Sequence, residues 1–239
     1  MLEGKTAVIY GGGGSIGGAV ARAFAREGAR VHLTGRTLAS VQPLAEEIGA
    51  VAAEVDALDE RAVDAHADAL GALDISFNAI THGDVQGTPM HEMDVEDYLR
   101  PVATAVRTTF LTMRAAARQM LGHGGGTILI FGGEGDPPRG YHLGGLQTAF
   151  HALEAMRRQF ASENPGIRVV TLRTGGVPES IPASLEGREA LVKSLDESTL
   201  SGRSATLADV GNVAAFVASD QARTMTAATV NVSAGALLD

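Results

Sequence analysis

The sequence predicts an α/β fold, a single doubly wound domain in which helices cover both faces of a parallel β-sheet. Apolar runs of strand length alternate with amphipathic helical patterns along the 239 residues, which is the order typical of a parallel sheet. A glycine-rich turn joins the first strand to the first helix. No Pro/Ser-rich linker or charge run divides the chain, so we expect one domain over residues 1–239.

Each strand and helix follows from its local pattern. Strands are expected in the apolar, partly β-branched runs TAVIY, RVHLTGR, AVAAEV, LDISFNA, TILIFGG, IRVVTLR and AATVNVS. Helices are expected where apolar residues recur at spacings of three and four, over about 15–28, 38–48, 58–70, 94–121, 146–162 and 208–219. Pro101 is a point at which the longest helix can be interrupted. Residues 176–202 carry prolines and mixed charge, and we expect them to form a substrate lid.

The stretch Thr6–Gly28 carries the strongest functional signal in the chain. The first strand ends at Tyr10, four consecutive glycines follow, and an amphipathic helix begins at Ser15. This order brings open backbone N–H groups and the positive end of a helix dipole to one point, which suits a diphosphate. The sequence therefore predicts a Rossmann-type dinucleotide site, although a glycine turn can also be a plain strand–helix connector. The expected cofactor contacts in this turn are Gly11, Gly13, Ser15, Ile16 and Gly17.

The end of the second strand favours NADP(H) over NAD(H). An acidic residue at this place usually binds the ribose 2′-hydroxyl, whereas an arginine accommodates a 2′-phosphate. Here Gly35 carries no carboxylate and Arg36 supplies a guanidinium suited to phosphate. The alternative is that Arg36 is an ordinary exposed arginine at the start of the next helix.

Composition excludes several classes of function. The formal charge of −9 argues against nucleic acid or an anionic membrane as the partner. The chain has no cysteine, so we expect no disulfide framework, thiol nucleophile or cysteine metal site, and no metal is predicted. The N-terminal residues run directly into a strand without the pattern of a signal peptide, and no apolar stretch reaches the length of a membrane span. We therefore expect a cytoplasmic protein.

Three segments carry a resemblance to a known family: the opening TAVIYGGGGSIGGAVARAFAREGARV, the segment VDALDERAV, and the C-terminal GRSATLADVGNVAAFVASDQARTMTAATVNVSAGA. In these segments, in length and in element order, the whole chain resembles the short-chain dehydrogenase/reductase family. The resemblance implies that Asp56 meets the adenine amino group and that Asn78 takes the first position of the N-N-A-G motif. After the sixth strand it implies further cofactor contacts at Thr174, Gly175 and Val177.

The same resemblance implies an NAD(P)-dependent oxidoreductase with a small-molecule substrate. It also implies a homodimer or homotetramer, formed through the two long helices and the last strand. Residues 104–117 and 149–161 are rich in small side chains, which permit close packing there.

The family's proton-transfer residues are replaced in this chain. Alignment of the family pattern places Gly133 at its catalytic Ser, Leu146 at its Tyr, Phe150 at its Lys and Ala105 at its Asn. The chain holds only two lysines, Lys5 and Lys193, so no shift of the alignment can place a lysine on the 146–162 helix. In the family this lysine lowers the pKa of the tyrosine and holds the nicotinamide ribose. A positioned acid contributes ~10²–10⁴ in rate, so conventional carbonyl reduction should be abolished.

Other side chains near the carboxyl ends of the strands could take over the proton transfer. The catalytic candidates are Tyr141 and His142, just before the 146–162 helix, and each could equally be a solvated loop residue. Further acid–base candidates follow strands four and five: His82, Asp84, Glu134 and Asp136.

Two functions are consistent with these observations. The first is an NADP(H)-dependent oxidoreductase with a non-standard proton donor, Tyr141 in the first instance, that acts on a small apolar carbonyl or enone. The second is a catalytically inactive relative that binds NADP(H) as a sensor or as a structural subunit.

Overall fold

The computed structural model describes residues 1–133, 135, 142–185 and 187–238. Within this part of the chain one sheet contains seven strands: β1 (Thr6–Tyr10), β2 (Arg30–Gly35), β3 (Val51–Glu54), β4 (Ile75–Asn78), β5 (Gly126–Gly132), β6 (Ile167–Arg173) and β7 (Ala228–Asn231). The α-helices described are α1 (Ser15–Arg26), α2 (Gln42–Ile48), α3 (Glu60–Leu70), α4 (Val95–Leu121), α5 (Leu146–Glu163), α6 (Arg188–Glu197) and α7 (Leu207–Ala218). Short 3₁₀ turns cover Leu38–Ser40, Pro178–Ser180 and Asp220–Ala222.

All neighbouring strands are parallel, in the order β3-β2-β1-β4-β5-β6-β7. Ala7 in the central strand β1 lies opposite Val31 on one side and Ile75 on the other. The chain progresses outward in one direction from β1 to β3 and in the other from β4 to β7. The carboxyl ends of β1 and β4 therefore flank a crevice, which is where open α/β sheets bind ligands.

Two apolar layers cover the sheet, and alternate strand residues supply each of them. In β1, Ile9 packs with Phe24 of α1 and Val210 of α7, while Val8 belongs to the layer that contains α3, α4 and α5. Burial on both faces explains why the strands are nearly continuous apolar runs rather than alternating ones. The predicted doubly wound α/β architecture is confirmed.

Two expectations about helices are wrong in detail. The segment 38–48 was expected to be one helix, but a 3₁₀ turn at Leu38–Ser40 is followed by a separate α2 that has Pro43 in its first turn. Proline is compatible with the first turn because its missing N–H has no partner there in any helix. Conversely, α4 continues without a break through Pro101, whose side chain is buried. Packing of the following turns against the sheet outweighs the lost hydrogen bond.

No helix in the described ranges is both long and apolar enough to cross a membrane.

Candidate functional site

A cleft of about 430 Å³ opens at the carboxyl ends of the strands, at the crevice between β1 and β4. The loops after β1, β2, β3 and β4 and one face of α4 form its walls. Its lining comprises Gly11, Gly13, Gly14, Thr34, Gly35, Arg36, Ser40, Val55, Asp56, Ala57, Leu58, Ala79, Ile80, Thr81, His82, Gly83, Arg100, Thr104 and Thr108.

The glycine turn leaves bare backbone on one wall of this cleft. Gly11 has a φ of +77°, and a Cβ there would lie 2.7 Å from the carbonyl oxygen of Ala79. A Cβ on Gly13 would lie 2.2 Å from the carbonyl oxygen of Ser40, and one on Gly17 would lie 2.4 Å from that of Gly11. Only glycine allows the turn, the β4 loop and the start of α1 to approach so closely. The resulting cradle fits the diphosphate of a dinucleotide.

The start of α1 supplies the donors that a diphosphate needs. Gly14 is the N-cap and makes no side-chain cap, and the backbone N–H of Gly18 donates to the Gly14 carbonyl oxygen at 2.7 Å. The N–H groups of the first turn, from Ser15 to Gly17, precede this first helical bond and have no partner within the helix. Ser15, Ile16 and Gly17 are therefore placed to act through the backbone, although their atoms are not part of the cleft lining.

Arg36 and Asp56 both line the cleft, and their contact with a cofactor stays a prediction. A Cβ on Gly35 would lie 2.4 Å from Ser40 Oγ, so that hydroxyl occupies the space that a side chain at position 35 would need. Ser40 Oγ itself donates to the carbonyl oxygen of Thr37 at 2.7 Å. Asp56 accepts the backbone N–H of Leu58 on Oδ1 at 3.0 Å.

Asn78 has its amide group in contact with α4 rather than with the cleft. Its Nδ2 lies 3.3–3.5 Å from the hydroxyls of Thr108, Thr109 and Thr112, and its Oδ1 accepts the backbone N–H of Ile80 at 3.0 Å. Asn78 thus fastens the end of β4 to α4 and shapes the loop that follows.

The three residues expected after β6 are at the same edge of the sheet but outside the cleft lining. The N–H of Thr174 donates to the carbonyl oxygen of Gly132 at 3.2 Å. Gly175 packs on Ser233, and Val177 is buried in the apolar layer that contains α1 and α7. Their contact with a cofactor stays a prediction.

An apolar contact occupies the positions that the resemblance assigns to the family's serine and lysine. A Cβ on Gly133 would lie 3.0 Å from the Phe150 ring. Ala105 is completely buried, and Leu146 forms the first residue of α5. Gln147 connects this helix to the end of β5, because its side chain bonds the Gly133 carbonyl oxygen and the Gly135 N–H, both at 3.3 Å.

His82 is the titratable side chain that the described structure brings into the cleft beside Phe150. It is 7% exposed, lines the cleft, and its ring centroid lies 5.7 Å from that of Phe150 in an edge-to-face arrangement. Burial lowers the pKa of His82, and the carboxylate of Asp84 acts in the opposite direction.

Of the two catalytic candidates from the sequence, His142 lies within the described residues and Tyr141 does not. Tyr141 lies outside the described residues, as do Glu134 and Asp136. His142 has an exposed side chain, and its carbonyl oxygen accepts the N–H of Gly87 at 2.8 Å. The segment around His142 therefore lies against the loop that carries His82, although His142 does not line the cleft.

Sequence reasoning missed the polar face that α4 presents to the cleft. Arg100, Thr104 and Thr108 line it, and the Arg100 guanidinium pairs with Asp97. Their spacing of four residues places them on one side of a helix, which was the available signal. The two lysines lie elsewhere: Lys5 pairs with Asp220 at 3.0 Å, and Lys193 with Glu197 on α6 at 3.7 Å.

Comparison with known proteins gives consistent results. A family model described as enoyl-(acyl carrier protein) reductase matches residues 12–236. The sorbitol dehydrogenase of Cereibacter sphaeroides is 31% identical, with 98% of each chain covered. An enoyl-[acyl-carrier-protein] reductase [NADH] of Rhizobium meliloti is 29% identical, with 98% of this chain and 91% of the relative covered. The crystal structure of a dehydrogenase/reductase from Sinorhizobium meliloti superposes with a TM-score of 0.85 at 28% identity, covering 98% of this chain and 96% of that one.

Proposed function

Because the chain belongs to the short-chain dehydrogenase/reductase family, we propose that it is an NADP(H)-dependent oxidoreductase with a non-standard proton donor. The single observation that carries this proposal is the cleft at the β1/β4 crevice, in which the bare glycine turn and Arg36 lie along the same opening. The substrate is a small carbonyl or enone of apolar character, since Phe150 and Gly133 supply an apolar contact next to the cleft.

The preference for NADP(H) rests on the end of β2. Position 35 carries no carboxylate that could bind a ribose 2′-hydroxyl or repel a phosphate, and Ser40 Oγ fills the space beside it. Arg36 supplies a permanently charged group at the same end of the cleft. A 2′-phosphate meets a cation here, whereas a 2′-hydroxyl gains no carboxylate acceptor at this position.

The variant Arg36→Gln tests this preference. We expect its dissociation constant for NADPH to rise about 10- to 100-fold, the usual weight of a charge-assisted hydrogen bond, with that for NADH nearly unchanged. Fluorescence titration of the reduced cofactors measures both constants. Arg223→Gln, an exposed arginine just after the 3₁₀ turn Asp220–Ala222, is the matched control and should behave as the parent. Equal affinities for NADPH and NADH in the parent protein would contradict the NADP(H) preference.

One observation favours a second function, in which the protein binds NADP(H) without turnover as a sensor or structural subunit. The apolar contact between Gly133 and Phe150 stands where the family resemblance places a hydroxyl and an ammonium. Purified protein mixed with NADPH and a panel of carbonyls and enones separates the two functions. Binding without oxidation of NADPH supports the sensor, whereas turnover supports the enzyme, and turnover abolished by Tyr141→Phe would make Tyr141 the donor.

Residues 176–202 form the substrate lid in this proposal. Residues within the lid pack against one another. Arg188 donates to the Pro178 carbonyl oxygen at 3.1 Å, and a Cβ on Gly176 would meet the side chain of Leu195. One domain over residues 1–239, a homodimer or homotetramer and a cytoplasmic location complete the proposal, and each stays a prediction.

A further inference from the structure

We propose that His82 is the residue that exchanges a proton with the substrate in this cleft. The inference rests on the proposed oxidoreductase function, and it assigns a chemical task to a side chain that the family pattern does not use. The geometry that carries it is a buried, unpartnered imidazole at the wall of the cleft, packed against the phenylalanine that stands at the position of the family's lysine.

The burial of His82 is unusual because its polar atoms have no protein partner. The ring is 93% buried (7% exposed), and within the described ranges no residue donates to, or accepts from, either ring nitrogen. Neither nitrogen is sealed from the cleft, because His82 itself lines it between Thr81 and Gly83. The imidazole nitrogens therefore reach the cleft without a protein partner, which leaves them open to a hydrogen bond with water or with a bound molecule.

Phe150 fixes the orientation of the imidazole. The two rings meet edge-to-face, with an angle of 68° between their planes, and Phe150 also packs against Phe131 of β5. The Phe150 ring would lie 3.0 Å from a Cβ on Gly133, so it joins His82 to the end of β5, where the resemblance places the family's serine. Edge-to-face packing of this kind restricts a ring without engaging its nitrogens.

The proton balance of the reaction needs one such group. When bound, the nicotinamide cofactor supplies or accepts a hydride. In reduction, the carbonyl carbon gains the hydride and its oxygen takes one proton from the N–H of protonated His82, which leaves the neutral ring to be reprotonated by water. In oxidation, neutral His82 takes the hydroxyl proton of the alcohol while the carbinol carbon loses the hydride.

The charged groups around His82 determine its protonation. Asp84 on the same loop favours the charged ring. Arg100 on α4 lines the same cleft, and its Cδ lies 3.4 Å from a Cβ built on Gly83. The Arg100 charge is partly balanced by Asp97, and Phe150 contributes an apolar face. Asp56 is the remaining carboxylate among the described residues of the lining. Since burial prevails, His82 is largely neutral at pH 7 and is a better proton acceptor than donor there.

The test compares His82→Gln with the parent protein over pH 5 to 9. We expect kcat to fall about 100-fold or more, while the dissociation constant for NADPH and the melting temperature stay close to those of the parent. In the parent, kcat/KM for reduction should fall tenfold per pH unit above the pKa of His82, and kcat/KM for oxidation should rise with pH and then level off. The variant should lose both dependences. His123→Gln, which changes an exposed histidine beyond the end of α4, is the matched control.

A second measurement does not depend on turnover. The imidazole proton signals of His82, assigned by their loss in His82→Gln or His82→Phe, are titrated by NMR with and without NADP⁺. We expect bound NADP⁺ to shift the His82 signals and pKa, and to leave those of His123 unchanged. An unmoved His82 would overturn the inference. Turnover that survives His82→Gln with the parent's pH profile would also overturn the inference, but it would leave the proposed oxidoreductase function intact. If the parent protein binds NADPH but never oxidises it, both the role of His82 and the oxidoreductase function are contradicted.

Discussion

Gly17 and Gly122 both have backbone angles open to any residue, yet a side chain would meet very different surroundings at the two positions. At Gly17, a Cβ would lie 2.4 Å from a backbone oxygen of Gly11, which cannot move without breaking the turn. At Gly122, just after α4, the nearest atoms would lie 3.6 Å away or more. The requirement for glycine at position 17 is therefore one of space between two backbones rather than one of dihedral freedom.

This difference predicts the outcome of two alanine substitutions. Gly17→Ala should destabilise the protein by about 1–3 kcal/mol through overpacking and should weaken NADPH binding, since the first turn of α1 must move away from Gly11. Gly122→Ala should stay within about 0.5 kcal/mol of the parent. Urea denaturation and fluorescence titration measure the two effects. A Gly17→Ala protein with the parent's stability and affinity would mean that the turn is not the cradle described above.

Single residues also show what the sequence can reveal about the site. Gly11 and Arg36 were predicted from their places at the ends of strands and Asp56 from the family resemblance, and all three line the cleft because parallel strands end at one edge. Arg100 was not predicted, because its approach to the cleft depends on how α4 crosses the sheet. His82 was an acid–base candidate only because it follows β4. Its burial beside Phe150 was not predictable, because that contact joins residues that are far apart in the chain.

At the scale of elements, a buried ion pair joins α5 to the sheet. Glu154 and Arg157 are 2% and 4% exposed, and Arg157 Nη2 lies 2.6 Å from Glu154 Oε2. Glu154 also accepts hydrogen bonds from Thr171 in β6 and Thr229 in β7. Burial acts to raise the pKa of Glu154, but the hydrogen bonds from Arg157 and the two threonines together hold it below the usual value. The helix is thus fastened across two strands by one carboxylate.

Substitution of one partner of this ion pair should lower the free energy of unfolding far more than substitution of both partners. Glu154→Leu leaves the Arg157 charge buried and should cost about 3–5 kcal/mol, whereas the double variant Glu154→Leu/Arg157→Met should recover most of that loss. Glu197→Gln, which breaks the exposed pair with Lys193, should change stability by no more than about 0.5 kcal/mol. Chemical denaturation gives all three values. If the double variant is as unstable as Glu154→Leu, the loss of stability does not come from the unpaired Arg157 charge.

Element boundaries were predicted only to within a few residues. The helix expected over 58–70 begins at Glu60, because Asp59 caps it and its Oδ1 accepts the N–H groups of Arg61 and Ala62. The division before α2 and the continuity of α4 through Pro101 were not predicted, because in both cases proline has a local effect that depends on its position in the helix and on tertiary packing.

At the scale of the whole molecule, a partly buried group of side chains on α3, β1 and β2 makes stability depend on pH. His66 lies edge-to-face with Tyr10, and its Nδ1 has no hydrogen-bond partner in the described part of the chain. Burial, together with the nearby His32, lowers the pKa of His66 to about 4. Burial also lowers the pKa of His32 and raises that of Tyr10. The folded state therefore keeps the His66 imidazole neutral in mild acid.

The sign of the resulting pH dependence follows from proton binding. An unfolded histidine takes up a proton near pH 6.5, whereas folded His66 does so only near pH 4. The free energy of unfolding should therefore decrease as the pH falls from about 6.5 to about 4, and this contribution should be constant below that range. His66→Gln should reduce the loss of stability between pH 7 and pH 4.5, as measured by urea denaturation, and His123→Gln should retain the parent's dependence. An unchanged slope in His66→Gln would assign the acid sensitivity to other groups.

The overall architecture was the most predictable level. Alternation of strands and helices fixes a parallel sheet, and the apolar runs indicate that both of its faces are covered. The sequence could not show which pairs of adjacent strands border the cleft and which lie further out in the sheet. That distinction depends on long-range contacts such as the one between Gly11 and the Ala79 carbonyl oxygen.

The approach of Phe150 to Gly133 constrains how a serine and a lysine could be engineered into this chain. A serine introduced at position 133 would place its Cβ 3.0 Å from the aromatic ring, before any lysine is available to work with it. A smaller or flexible residue at position 150 would relieve this approach, but it would also remove the ring against which His82 is packed. Phe150 therefore couples the two positions, so that engineering of one proton-transfer arrangement disturbs the other.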